Sequence, residues 1–325
     1  MNTMKVVDGS FMGIPVKQET DVHSFKDAVS KSGTNLSKEE IETVSAFLAF
    51  SLNANSTADE ISDKNGVVSF KGSKTEVAIL ELTTNLGYPY KVDRKSANIL
   101  HVEPFSSETK KMATIVQTNA DPTIDSQFGT HQDEPNSRRW LLVKGAAEVI
   151  LEQCSKYFDK TGAVRVLTVD KRDELKHLIS NFGERTLRTI FAGIQPLTSD
   201  EAPEEQARAE SGDLILFGLF GIEDPIRPEV PDAVTACQKA GITIRMVTGD
   251  NILTAKAIAR KCGILSNDGV AMEGQEFRTL SETEMNTILP KLQVLARSSP
   301  LDKQILVKNL KRLGETVAVT GGNIL

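Results

Sequence analysis

A β-branched run, Ile242–Val247, meets the polar turn Thr248-Gly249-Asp250-Asn251 and then apolar Ala255, Ile258, Ala259 and Cys262 at helical spacing, closed by Gly263. That order predicts a strand, a turn and a helix. In a parallel α/β sheet such a turn lies at the carboxyl end of the strand, where ligands bind, and the free N–H groups of the following helix favour an anion such as phosphate. Thr, Gly and Asp also occupy these turns for capping alone, so at this point both readings stand.

The sequence around this unit changes character near Asp224. Beyond it, helix Pro231–Ala240, strand Ile242–Val247, helix Leu253–Lys261, strand Val294–Ala296, helix Lys303–Leu313 and strand Thr316–Thr320 alternate, which predicts βαβ winding and a parallel sheet. Before it, the pattern is one of antiparallel strands mixed with helices. Met4–Phe11 reads as a strand, followed by a polar stretch to Asn35 that offers little core. Ser37-Lys38-Glu39-Glu40 is a capping box ahead of the stripe Ile41, Val44, Leu48 and Leu52, and Ser73-Lys74-Thr75-Glu76 opens a second helix with Val77, Leu80 and Leu86 inward. Strands follow at Val67–Phe70, Ile99–Val102, Met112–Gln117 and Trp140–Val143. Asn119–Arg138 carries Pro122, Gly129 and Pro135 with no apolar period and predicts a long, mobile hairpin loop. Ala146–Cys154 is a helix, and Leu175, Leu178, Ile179 and Phe182 line another that Gly183 stops. Arg188–Gly193 is a strand, Glu201–Glu210 an acidic linker or short helix, and Leu214–Gly221 a buried strand.

Bulk properties narrow the function. The chain has 325 residues, enough for two domains, with 39% hydrophobic and 25% charged residues, as in folded soluble proteins. Its 38 Lys and Arg against 44 Asp and Glu leave a net charge of -6, which argues against nucleic acid as a partner. The longest apolar run, Leu214–Ile222, falls short of the roughly 20 residues of a membrane helix. Cys154, Cys237 and Cys262 lie far apart, and His23, His101, His131 and His177 lack ligand spacing, so no metal set is assigned.

Several short motifs stand in order: Gly72-Ser73-Lys74-Thr75-Glu76, Pro104-Phe105-Ser106-Ser107 with Lys110, Lys144-Gly145-Ala146-Ala147-Glu148, and Thr186-Leu187-Arg188. They continue with Asp224-Pro225-Ile226-Arg227-Pro228-Glu229, Thr248-Gly249-Asp250 and Ala296-Arg297-Ser298-Ser299-Pro300-Leu301-Asp302-Lys303. Any one is weak alone, but their order and spacing resemble the cytoplasmic region of P-type ATPases over almost the whole chain. Thr248–Leu265 and Arg297–Lys303 most resemble plasma-membrane-type calcium pumps of the fungal or vacuolar style.

The resemblance implies a fold of α/β and α+β class. An antiparallel-sheet nucleotide-binding domain, residues 1–222 with the mobile loop near 119–138, would be inserted into a partial haloacid-dehalogenase-like doubly wound phosphorylation domain, residues 223–325. It implies ATP and Mg2+ as cofactors, and as partners the transmembrane and actuator domains of a complete pump, with calcium bound outside this chain. It also implies the cytosolic face of a vacuolar or plasma membrane. Phe105 would stack on adenine, against the alternative of a core ring at a strand end. Lys144 would line the adenine pocket or sit in solvent, and Gly145 would let the base approach. Glu76 and Lys110 would contact base and phosphates, though Glu76 also completes the box opened by Ser73. Arg188 would reach the β-phosphate or form a surface ion pair. Thr248 and Gly249 would hold phosphoryl oxygens, Asp250 would order the turn, and Lys303 would neutralise charge that develops in transfer. A cation at the start of a helix opposes its dipole, which favours a functional reason for Lys303. Asp224 and Arg227 would position the hinge and the nucleotide.

The chain departs from the family pattern in two places. The heptad Asp-Lys-Thr-Gly-Thr-Leu-Thr that carries the family's phosphorylated aspartate is missing, and Asp159-Lys160-Thr161-Gly162 is read as a β-turn instead. Val317–Gly321 begins like the family's magnesium-binding motif, but Gly322-Asn323-Ile324-Leu325 does not continue it. The expectation is a fragment of a longer pump, unable to form a phosphoenzyme alone. The rival readings are a non-catalytic nucleotide-binding regulatory module, and a stand-alone phosphatase whose Asp-x-Asp the first residues do not contain.

Overall fold

A computed structural model describes residues 4–62, 68–128, 137–197, 202–208 and 212–320. The chain divides into two units, Met1–Ile179 with Leu187–Pro225 and Ser180–Thr186 with Ile226–Leu325.

In the first unit, β1 (Lys5–Phe11) turns at left-handed Met12 and Gly13 into β2 (Ile14–Lys17), and α1 (Val22–Ser30) follows behind a capping box of Asp21 and Ser24. This corrects the expectation of a polar stretch with little core. Phe11, Ile14, Val16, Phe25 and Val29 are all buried in the main core, in runs too short to show a period. Helix α2 (Lys38–Ala54) carries the expected box, with Ser37 N donating to Glu40 Oε2 at 2.7 Å, and buries Val44, Leu48 and Leu52. A small hairpin of β3 (Asp59–Ser62) and β4 (Val68–Lys71) leads to α3 (Lys74–Asn85), which buries Ala78, Ile79 and Leu82. Ser73 makes no side-chain cap here. Glu76 turns away from the helix start, so the second capping box does not form.

Next come α4 (Tyr90–Ser96), β5 (Asn98–Glu103), β6 (Lys111–Asn119), α5 (Pro122–Phe128) and β7 (Ser137–Ala146). Helix α5 corrects half of the expected loop. Asp121 Oδ1 accepts from Thr123 N at 2.9 Å, Ile124 and Phe128 are buried, Phe128 meets Trp140 edge-on, and Arg138 pairs with Asp125 at 2.8 Å. Two apolar residues four apart suffice for one buried helical face but give no legible period. The rest of that expected mobile loop, residues 129–136, lies outside the described residues.

The unit is completed by α6 (Ala147–Glu152), β8 (Cys154–Phe158), β9 (Val164–Val166), α7 (Val169–Glu184) as far as Ile179, β10 (Leu187–Leu197), α8 (Pro203–Arg208) and β11 (Leu214–Glu223). Helix α7 runs through Gly183, and the left-handed residue beyond it is Thr186 at φ 65, so Gly183 is not the stop. Among the described residues the strands form a nine-stranded sheet in the order β2-β1-β11-β10-β7-β6-β5, antiparallel along that path, with β8 added in parallel to β11 and β9 antiparallel to β8. Trp140 and Leu142 of β7 and Ile190, Ala192 and Ile194 of β10 face the core shared with α1, α2, α3 and α5. The fold is mixed α and β around a large antiparallel sheet.

The second unit begins with α9 (Val230–Lys239), β12 (Met246–Val247) and α10 (Ile252–Lys261), the last capped by Asn251 Oδ1 accepting from Thr254 N at 2.9 Å. Then come β13 (Val270–Glu273), α11 (Gly274–Thr279), α12 (Glu282–Ile288), β14 (Leu292–Ala296) and α13 (Pro300–Arg312). The strands pair in parallel, as the alternation predicts, in the order β12-β14-β13; β13, α11 and α12 fall between Lys261 and Val294, where no element was expected. Two expected strands are corrected. Only Met246 and Val247 of the β-branched run find ladder partners, opposite Val294 and Leu295, and Ile242 is 55% exposed. Thr316–Thr320 is not a strand: only Val317 packs on the core of Leu289, Leu295 and Leu310, and Val319 is left 53% exposed. A β-branched run without a neighbouring strand to bond gains nothing from extension. No described helix is long and apolar enough to cross a membrane.

Candidate functional site

The strand register sets one face of the large sheet. Met112 of β6 lies opposite Lys144 of β7, Thr114 opposite Leu142, and Ala192 of β10 opposite Lys144. Side chains alternate along each strand, so Thr114, Lys144 and Arg188 all leave the sheet on the same side. Helix α3 and the chain after α2 bring partners to them. Lys144 Nζ donates to Glu76 Oε1 at 3.1 Å and also to the carbonyl of Asn55. Glu76 accepts further from Thr57 N at 3.0 Å and Thr57 Oγ1 at 3.1 Å. Asn55 Oδ1 accepts from Thr114 Oγ1 at 2.9 Å, and Arg94 donates to the Ser56 carbonyl at 3.0 Å and to that of Ala58.

Lys144 and Glu76 are both buried. Burial acts to raise the carboxyl pKa of Glu76, but the Lys144 charge and the bonds from Thr57 and Lys144 outweigh it, and the group is held below the usual carboxylate range. Burial pulls the Lys144 ammonium below its ordinary value, against the attraction of Glu76. The solvent position open to Lys144 in the sequence is therefore not the one it takes, and Glu76 serves this pair instead of capping α3. Asn55, Thr57, Arg94 and Thr114 complete the network. The polar run Asn53–Thr57 carries no signal separating it from an ordinary surface loop, although Asn53, Asn55 and Ser56 are buried.

Arg188 Nη1 donates to Thr75 Oγ1 at 3.1 Å, one residue from Glu76, so α3 touches both cations. Gly145 is explained by the backbone of β6, not by a ligand alone: a Cβ there would stand 2.4 Å from the Lys110 carbonyl oxygen. That carbonyl accepts from Ala146 N at 3.0 Å, and left-handed Lys110, at φ 53, ends the loop from Pro104. Phe105 rides on this loop and is 58% exposed, so it is no core ring at a strand end. Glu76, Lys110, Lys144, Gly145 and Arg188 thus gather at one end of the sheet, with the Phe105 loop tied to it. Asp224 and Arg227 are exposed in the irregular segment after β11. The Asp159 turn joins β8 to β9, with Asp159 Oδ1 accepting from Thr161 N at 2.9 Å and Ala163 N at 3.1 Å, as expected of a β-turn.

In the second unit the Thr248 turn is closed by its own side chains and by the loop before α13. Thr248 Oγ1 donates to Asp250 Oδ2 at 2.8 Å and accepts from Asp250 N at 3.1 Å. Thr248 O accepts from Ser298 N at 2.9 Å and Ser298 Oγ at 3.0 Å, and Asp250 O accepts from Arg297 N at 2.8 Å. Ser298 lies within the motif Ala296–Lys303, but nothing in the spacing marks it as the stitch. A Cβ on Gly249 would meet nothing within 4 Å, so the fold does not require glycine there. Lys303 is exposed in the first turn of α13. Among the described residues no group of three or more His, Cys, Asp or Glu side chains converges to hold a metal ion.

The large antiparallel sheet with its covering helices, joined in sequence to a parallel α/β unit, agrees with a comparison to known families. Residues 43–229 match the family described as P-type ATPase, cytoplasmic domain N, and the chain belongs to the P-type ATPases. It is 43% identical over 278 residues to calcium-transporting ATPase PAT1 of Dictyostelium discoideum, covering 86% of this chain and 23% of that protein. To calcium-transporting ATPase 4, plasma membrane-type, of Arabidopsis thaliana it is 41% identical over 280 residues, covering 86% and 25%. To calcium-transporting ATPase 10, plasma membrane-type, of Oryza sativa subsp. japonica it is 40% identical over 292 residues, covering 90% and 27%. The chain spans about a quarter of the length of these curated relatives.

Proposed function

We propose that this chain is the ATP-binding part, with a portion of the phosphoryl-receiving part, of a calcium-transporting P-type ATPase that couples ATP hydrolysis to ion export. The observation that carries this reading is the exposed Phe105 ring, on a loop bonded through the Lys110 carbonyl to Ala146 N, two residues along β7 from Lys144. Phe105 stacks on adenine. The Lys144 ammonium is committed to Glu76 and Asn55, so its aliphatic stem, together with Gly145, offers the pocket wall. Lys110 and Arg188 supply cations toward the phosphates.

In the second unit, Thr248 and Gly249 hold phosphoryl oxygens, Asp250 orders their turn, and Lys303 offsets charge in the transfer. Asp224 and Arg227 steer the hinge and nucleotide. The antiparallel domain is an insertion into a haloacid-dehalogenase-like fold, with the division near residue 223. Mg2+ bound with ATP neutralises phosphate charge, and no residue here is assigned to it. In the complete pump these units work with transmembrane and actuator domains at the cytosolic face of a vacuolar or plasma membrane, and calcium binds elsewhere. Calorimetric titration of the chain with ATP tests the reading: weak, saturable binding that Phe105→Ala weakens by about 1–3 kcal/mol is expected. Affinity unchanged by that substitution overturns the pocket assignment.

A further inference from the structure

We infer that Arg278 is a positioning residue for Lys303, acting through Asp302. This rests on the phosphoryl role proposed for Thr248 and Lys303. Asp302 is 0% exposed. Its carboxylate accepts from Ser299 N at 2.7 Å and Ser299 Oγ at 2.9 Å, and both its oxygens accept from Arg278 Nη1 at 2.7 Å. Gly274 makes room for it, since a Cβ there would stand 2.5 Å from Asp302 Oδ2. Helix α11 is therefore fastened to the first turn of α13 through one buried carboxylate.

Two apolar side chains of like volume would join these helices without the desolvation cost of a buried ion. What the ion pair adds is a fixed direction. The loop from Arg297 to Asp302 is held on one side by the Thr248 turn, through Arg297 N on the Asp250 carbonyl and Ser298 on the Thr248 carbonyl, and on the other by Arg278 on Asp302. Lys303 comes next, exposed and with no ion pair among the described residues. A long flexible lysine is aimed only as well as its backbone root is held. Arg278 holds that root in register with Thr248.

The test uses the intact protein that contains this chain, with Arg278→Gln and Arg278→Lys, each assayed below its own unfolding midpoint for kcat and for KM of ATP. The glutamine variant is expected to lose about ten- to a hundredfold in kcat, the range for a misplaced catalytic group, with KM within about twofold. The lysine variant recovers part of the loss. A kcat that falls only with the folded fraction, or a KM that rises with kcat unchanged, overturns the inference. If the unaltered protein does not turn over ATP, the proposed function fails. The inference is then decided on this chain by the carbon-13 signal of dimethylated Lys303, assigned with Lys303→Arg. A narrower line in Arg278→Gln upholds the positioning role, and an unchanged line overturns it.

Discussion

Lys144 Nζ lies 3.1 Å from Glu76 Oε1, and fewer than a tenth of either side chain is exposed. The pair joins the C-terminal end of β7 to the first turn of α3 across 68 residues of sequence. Removing one member leaves a buried charge that water cannot reach. Lys144→Met is therefore expected to cost about 3–5 kcal/mol in urea unfolding, and adding Glu76→Gln is expected to return part of that loss. Additive effects of the two substitutions would show that the charges do not interact.

Titration separates the two ends of the pH range. Glu76 is held below its ordinary value, so its contribution is present above the unfolded carboxyl pKa and is lost as pH falls through the folded one. The stability gap between the unaltered chain and Glu76→Gln is expected to shrink on acidification below about pH 4. Tyr88 goes the other way: burial, then the nearby Glu42 charge, push its hydroxyl up to about 12. Its contribution is complete below the unfolded value near 10 and is lost as pH rises toward 12. Tyr88→Phe is expected to flatten the alkaline limb of a stability profile, and a limb that stays as steep would assign it to other groups.

The features legible in the sequence were those whose cause is local. The Ser37–Glu40 box and the parallel pairing of the second unit need only neighbouring residues or a repeated pattern. Ser73 and Glu76 have the same spacing as that box, yet Glu76 bonds to Lys144 and Thr57 because a buried cation outcompetes an exposed cap. The run Ile242–Val247 has strand composition, but its ladder is two residues long because pairing depends on β14 and not on propensity. In each unit the candidate residue types, Phe105 and Lys144 in the first and Thr248 and Lys303 in the second, were readable. The residues that anchor their surroundings were not: Asn55 bonds Lys144, Thr57 bonds Glu76, Ser298 bonds Thr248 and Arg278 bonds Asp302, each an ordinary polar residue made specific by a contact distant in sequence.

Thiol reactivity tests the packing of the three cysteines. Burial pushes the Cys154 thiol up to about 12, with Arg172 opposing, so at neutral pH it is neither exposed nor ionised. Cys262 is also buried and raised by burial, whereas Cys237 is only half-buried. Brief alkylation of the native chain with iodoacetamide, read by peptide mass spectrometry, is expected to mark Cys237 first and Cys154 only after denaturation. Early labelling of Cys154 would contradict the packing of α6 and β8.

Two glycines of the candidate sites differ in what the fold asks of them, and alanine at each separates fold from ligand. At Gly145 a Cβ would stand 2.4 Å from the Lys110 carbonyl oxygen and 2.9 Å from Lys111 Cα, both backbone atoms that cannot swing aside. Gly145→Ala is expected to destabilise the chain by about 1–3 kcal/mol, as overpacking does, and to disturb the loop carrying Phe105. At Gly249 there is nothing within 4 Å to meet, so Gly249→Ala is expected to leave stability within about 0.5 kcal/mol. If a phosphoryl group nonetheless comes against the Thr248 turn, the added methyl stands in its way. The intact protein carrying Gly249→Ala should then unfold normally and lose turnover, which calorimetry and an ATPase assay on one preparation can read together. Full turnover with an unchanged midpoint would mean that the turn is glycine for no reason connected with phosphate.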